Sequence, residues 1–243
     1  FKVGGINHNS VVNYTTLGGT QTIAGLAPIN PTITSVAISS IAASWTNITD
    51  NTGYVLEAST ASNFTGTIFS SATTNATLNA LFVTGLTSNT TYFVRAGALY
   101  NGATSYALTA PISTATLTSL ITGAQFYQVN VTSVVVNWIP LSSAVGYRLE
   151  AYSDSGFTTL VGSSVTLTGV TPSTLTITGL QAYTTYFFKV GGINHNSVVN
   201  YTALGGTQTI AGLAPINPTI TSVAISSIAA TWTNISNNTG YVL

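Results

Sequence analysis

The sequence predicts an all-β chain built from tandem seven-stranded antiparallel β-sandwiches. Three observations carry this. Short β-branched or aromatic runs such as Thr32–Ile38, Ile41–Thr46, Tyr54–Ser59 and Thr91–Ala96 alternate in polarity between Gly, Pro and Asn-rich punctuation. No window holds a sustained helical period. The chain also repeats itself: residues 1–56 return as 188–243 with four differences, Thr16/Ala203, Ser44/Thr231, Thr49/Ser236 and Asp50/Asn237.

A second, fainter period runs at half that spacing. Trp45, Trp138 and Trp232 are 93 and 94 residues apart, close to the ~100 residues of one such sandwich. Around them, Gly53-Tyr54-Val55-Leu56-Glu57-Ala58 matches Gly146-Tyr147-Arg148-Leu149-Glu150-Ala151. The unit therefore comes in two versions, A and B, arrayed alternately. The predicted boundaries are 1–26 (the end of a B unit), 27–116 (A), 117–213 (B) and 214–243 (the start of an A unit). On this reading the chain starts in a sixth strand and stops in a third, as an internal piece of a longer array would. The junctions are short. Ala27-Pro28-Ile29-Asn30-Pro31 enters A, and Thr116–Ser119 leads from A to B, so both are expected to be semi-rigid.

A Trp on the second strand, a Tyr opening the third, and a Leu six residues before a Tyr on the sixth occur in both units. In A these are Trp45, Tyr54, Leu86 and Tyr92; in B they are Trp138, Tyr147, Leu180 and Tyr186; Trp232 and Tyr241 begin the next set. The pattern resembles that of fibronectin type III domains, and Asn89-Thr90-Thr91-Tyr92-Phe93-Val94-Arg95-Ala96 is close to that family's sixth strand. The resemblance covers the whole chain. It implies immunoglobulin-like sandwiches in which Tyr92 and Tyr186 act as tyrosine corners and the tryptophans fill the space between sheets.

The strand period of two then assigns faces. Tyr54, Leu56 and Ala58 point inward with Tyr92, Val94 and Ala96; in B the inward sets are Tyr147, Leu149, Ala151 and Tyr186, Phe188, Val190. Outward lie Val55, Phe93 and Phe187, together with two opposite-charge pairs, Glu57 with Arg95 and Glu150 with Lys189. Third and sixth strands are neighbours in the fold that the resemblance implies. Exposed pairs of this kind contribute about 0–1 kcal/mol each, so their value lies in register, because a slip of one residue would bury a charge.

Composition excludes several functions. Only four Lys or Arg occur in the 243 residues, which cannot neutralise a nucleic-acid backbone. There is no cysteine, hence no disulfide, thiolate metal site or cysteine nucleophile. No apolar run is long enough for a transmembrane helix. His8 and His195 occupy one site in two copies, on the predicted loop between the sixth and seventh strands. A single imidazole without a carboxylate or second His nearby reads as a structural or neutral loop residue. No Gly-x-Ser-x-Gly motif or paired-carboxylate arrangement accompanies the many hydroxyls. We therefore expect no enzyme, no cofactor and no metal.

What remains is the outer surface. At 3% charged residues and zero net charge, little electrostatic repulsion keeps β-rich copies apart. Phe93, Phe187 and the charge pairs are the candidate association surface. The expected role is a structural repeat region of a long extracellular, bacterial fibre or cell-surface stalk whose partners are copies of itself. The alternatives are an adhesin or carbohydrate-binding stalk, with Tyr100, Tyr106 and Tyr152 available to stack on glycans, or spacer domains of a secreted polysaccharide-degrading enzyme.

Overall fold

The computed structural model describes residues 1–19, 25–107, 112–169, 171–212, 214–235 and 240–243. Ser236 and Asn237, two of the repeat differences, lie outside the described residues. Among those described, the secondary structure is strand throughout, with no α-helix. A hairpin of β1 (Lys2–Ile6) and β2 (Val12–Thr16) comes first. Sandwich A then pairs one sheet of β3 (Ile29–Val36), β4 (Ser40–Thr46) and β7 (Ala80–Thr84), in the order β3-β4-β7, with a second sheet. The second sheet holds β5 (Gly53–Ser59), β6 (Ile68–Thr73), β8 (Thr91–Tyr100), β9 (Ala103–Tyr106) and β10 (Ile112–Ala115). Its order is β10-β8-β5-β6, and β9 also pairs with β8.

Sandwich B repeats the plan. β11 (Thr122–Val129), β12 (Ser133–Ile139) and β15 (Thr174–Thr178) form one sheet in the order β11-β12-β15. β13 (Gly146–Tyr152), β14 (Leu160–Thr166), β16 (Thr185–Ile193) and β17 (Val199–Gln208) form the other, in the order β14-β13-β16-β17. The chain closes with a hairpin of β18 (Ile216–Val223) and β19 (Ile228–Thr233). The last strand of B is continuous, whereas in A its counterpart is divided into β9 and β10.

Each sandwich has a core of its own. In A it gathers Ile41, Trp45, Tyr54, Leu56, Val83, Leu86, Tyr92 and Val94; in B, Val134, Val136, Trp138, Tyr147, Leu149, Ile177, Tyr186 and Phe188. The two sheets meet through the aromatic pair that joins the second strand to the third. Trp45 lies 5.3 Å from Tyr54, and Trp138 lies 5.1 Å from Tyr147, between ring centroids. Each tyrosine hydroxyl also accepts from the loop between those strands, from Ile48 N at 3.0 Å and from Leu141 N at 2.8 Å. On the sixth strand, the Tyr92 hydroxyl accepts from Thr87 N, and that of Tyr186 from Gln181 N, both at 3.0 Å.

Val55, outward by the strand period, is only 8% exposed. It sits between Ala72 on β6 and Gly97 on β8. Gly97 leaves space that the Tyr106 ring fills by folding over it. The outer face of the central strand is thus covered, which alternation alone does not predict.

Removing one corner hydroxyl leaves a loop N–H without its acceptor while changing no packing. Tyr92→Phe and Tyr186→Phe are each expected to lower unfolding stability by about 1–2 kcal/mol. Urea unfolding with unchanged slope would read this as a shifted midpoint. A midpoint equal to that of the parent would show that the hydroxyl holds nothing.

Candidate functional site

Both charge pairs form on the outer face of the five- and four-stranded sheets. Glu57 faces Arg95 across β5 and β8, and Glu150 faces Lys189 across β13 and β16, in the same register position of each unit. Arg95 Nη2 lies 2.7 Å and Nε 2.8 Å from Glu57 Oε2, and the Tyr106 hydroxyl donates to Oε1 at 2.7 Å. In B, Lys189 Nζ is 3.3 Å from Glu150 Oε2, which also accepts from the Tyr152 hydroxyl at 2.6 Å. Arg148 stands 3.8 Å from the other carboxylate oxygen.

These pairs are more enclosed than an open sheet face implies. The Arg95 guanidinium lies between the rings of Phe64 and Tyr106, at 3.9 and 3.7 Å from their centroids. Lys189 Nζ is ringed by Tyr201, Tyr152 and Phe157, at 4.3, 4.7 and 5.8 Å. As a result Glu150 is buried, at 7% exposure. Cation–π contact of this kind gains strength as water is excluded. The lids were not found from the sequence, yet a signal was present. Phe64 and Phe157 lie 93 residues apart, in different local sequences, and share a left-handed backbone at φ 58° and 56°. An aromatic residue kept in that conformation in both versions has a job to do at that position.

The electrostatics follow from the enclosure. Burial pushes the Glu150 carboxyl up, but hydrogen bonds from Tyr152, Tyr201 and Lys189, with the lysine charge, outweigh it and hold the group below its ordinary value. Burial pulls the Lys189 ammonium down, and its bonds to Tyr152 and Glu150 more than restore it, to above its ordinary value. The Tyr201 hydroxyl is driven up, first by burial and then by Glu150.

Phe93 and Phe187 are half-buried beside the pairs, and Phe187 covers Gly206 on β17. Of the three tyrosines considered for glycan stacking, Tyr106 and Tyr152 are engaged with the charge clusters. Tyr100 donates its hydroxyl to Leu26 O at 2.6 Å. Among the described residues, no three of His, Cys, Asp and Glu come together as a metal site.

A second constellation lies where A meets B. The loop after β16 reaches back to the end of sandwich A. Asn194, 1% exposed, donates both amide hydrogens, to Ala115 O at 3.2 Å and Thr116 O at 3.1 Å. Its carbonyl oxygen accepts from Asn196 N at 3.0 Å and Val198 N at 2.8 Å. A buried amide with every donor and acceptor lone pair used fixes its neighbours closely. His195 N donates to Asn89 Oδ1 at 2.9 Å, and the Asn196 side chain bonds Ala115 N and Thr114 Oγ1, both at 3.2 Å. The connecting segment is held too: Thr118 Oγ1 donates to Gly192 O at 3.2 Å, and Asn200 Nδ2 to Thr118 O at 2.7 Å. Gly192 lets the strands approach closely there, since a Cβ would come within 2.6 Å of Leu141 and 2.8 Å of Thr118. The histidine at the centre of this loop contributes its backbone, while its imidazole is exposed.

Residues 119–203, which fall in sandwich B, match the family model of the fibronectin type III domain. Among solved structures, the chain is similar to a two fibronectin type-III domain segment from chicken tenascin. That match has 15% identity and a TM-score of 0.47, covering 75% of this chain and 99% of that one. It is also similar to the FN1–FN3 domains of chicken CNTN1, at 14% identity over 86% of this chain and 76% of that one, with a TM-score of 0.39. A third is the central fibronectin-III array of RIM-binding protein, at 16% identity over 85% and 78%, with a TM-score of 0.30. No curated protein matches the chain.

The Glu150 cluster predicts a bounded stability window. A carboxyl held below its unfolded value contributes fully above the ordinary glutamate pKa of about 4.3 and loses that contribution as pH falls through its folded value. An ammonium held above its unfolded value contributes fully below about 10.4 and loses it as pH rises through its folded value. Glu150→Gln is therefore expected to flatten the acid limb of a melting-temperature profile, and Lys189→Gln the alkaline limb. Profiles parallel to the parent's would contradict this.

Proposed function

We propose that the chain is the structural repeat region of a long extracellular fibre or surface stalk whose uncharged sandwich surfaces bring copies together. The observation that carries this reading is the junction. Five hydrogen bonds join the end of A to the loop of B across the domain boundary, and the sequence of that pair begins again 187 residues on. A sandwich of this length advances the chain about 35 Å at ~3.3 Å per strand residue, so a pair would add roughly 70 Å.

The surface supports association. The edge strand β14 exposes Leu160, Val161 and Val165 and carries no charged residue or proline. Such an edge offers unpaired backbone groups without the charges that normally keep a second strand away. Net charge is zero, and the described ion pairs are internal. Cohesion between copies would then come from apolar and backbone contacts, which salt screens little.

Small-angle scattering on dilute chain is expected to give an elongated particle. Sedimentation at rising concentration is expected to show self-association that is unchanged between about 0.02 and 0.5 M salt. Val161→Lys should weaken that association while leaving the fold intact. A compact particle, or a monomer at every concentration, would overturn the proposal.

A further inference from the structure

We infer that the Asn194-His195-Asn196 loop is a pairing element: it accepts the C-terminal end of an A-type sandwich and not that of a B-type sandwich, making A and B one two-domain body. The two ends share a frame, so they can be compared atom by atom. In A, Thr116 Oγ1 donates to Thr87 O at 2.7 Å and accepts from Thr90 N at 3.0 Å; in B, Thr209 Oγ1 donates to Gln181 O at 2.6 Å and accepts from Thr184 N at 3.0 Å. The corner residue next to this threonine has a left-handed backbone in both, Asn89 at φ 45° and Tyr183 at φ 49°.

At that corner the chemistry diverges. Asn89 supplies the amide oxygen that takes the His195 N–H. Tyr183 stands in its place in B, with no amide oxygen to offer and a ring that is 70% exposed. The last strand differs as well. Ala115 gives both its N–H and its carbonyl to the loop, whereas the matching residue in B is Gln208. An Asn-His-Asn loop set against a B end would lose the acceptor for its backbone N–H and meet a tyrosine ring instead.

The loop takes the same shape in both of its copies. The same seven residues recur at Gly4–Ser10. There Asn7 Oδ1 accepts from Asn9 N at 2.9 Å and Val11 N at 3.0 Å, and Ser10 has φ 59° against 62° for Ser197. The loop's own hydrogen bonds thus hold the docking donors in place, which lowers the ordering entropy lost on contact. The A unit has no counterpart to this loop, since β8 and β9 are joined by a tight Asn101-Gly102 turn. The joint from B to A must be made differently. Its connection runs Ile210-Ala211-Gly212-Leu213-Ala214 before Pro215, one residue longer than Leu117–Leu120 before Ile121. This pairing would hold equally in a chain that forms no fibre.

Residual dipolar couplings on the full chain test it. One alignment tensor is expected to fit both A and B. Asn194→Ala and Asn89→Tyr, the second giving A the corner of B, should each abolish the shared tensor. Tyr183→Asn, at the far end of B, should preserve it. Should Asn194→Ala unfold sandwich B, Asn89→Tyr and Asn196→Ala decide the matter, because neither lies in a core. Two independent tensors in the parent chain, or a single tensor retained in Asn89→Tyr, would overturn the inference.

Discussion

The fold rests on the contact between the second-strand tryptophan and the third-strand tyrosine. β4 and β5 belong to different sheets, so Trp45 against Tyr54 fixes how one sheet sits over the other. The same tyrosine hydroxyl holds the crossing loop, and in A it also takes the Asn51 amide at 3.1 Å. The third copy shows how local this device is. Trp232 and Tyr241 stack at 5.0 Å, and Ile235 N donates to the Tyr241 hydroxyl at 2.9 Å, with no facing sheet among the described residues. Burial is a different matter. Ile41 is fully buried, in a core that also draws on Val83, Tyr92 and Val94. The ring pair thus joins residues within some ten positions of each other, whereas the burial of Ile41 draws on strands much further along the chain.

The same distinction separates what could be read from the sequence from what could not. Inward positions such as Leu56, Val94, Leu149 and Val190 follow from a period of two. So does the facing of Glu57 with Arg95 and of Glu150 with Lys189, once third and sixth strands are taken as neighbours. The aromatic lids do not follow from it. Phe64 and Phe157 come from loops outside the regular strands, and Tyr106 and Tyr201 from the seventh strand, so no periodicity links them to the charges they cover. Only comparison of the two versions residue by residue points there. Val55 faces outward as the period of two has it, but its burial does not follow from that period: its cover is the Tyr106 ring lying over Gly97, a contact between strands rather than a property of its own.

The lids also change what the charges do. An open pair on a sheet is worth little, since water competes with it. Enclosed between rings, Arg95 and Lys189 bury carboxylates that could not be left alone, and removing one partner would strand a charge. Register is then enforced on both faces at once. A slip of β8 or β16 by one residue would put a cation into the core and also empty its aromatic enclosure. In a chain with 3% charged residues, placing half of the charge at these two points gives register an energy that uniform Thr and Ser surfaces cannot supply.

The junction extends this logic from strands to domains. Within a sandwich, specificity comes from apolar shape and two charge pairs; between sandwiches it comes from uncharged amides. Asn194 is suited to that position because it is polar enough to require partners and small enough to be buried when it has them. An apolar junction would tolerate sliding and rotation, and would also attract other copies. Amide bonds at fixed distances tolerate neither. The chain thus places its buried amide contacts between its own sandwiches and leaves the apolar side chains of β14 facing outward.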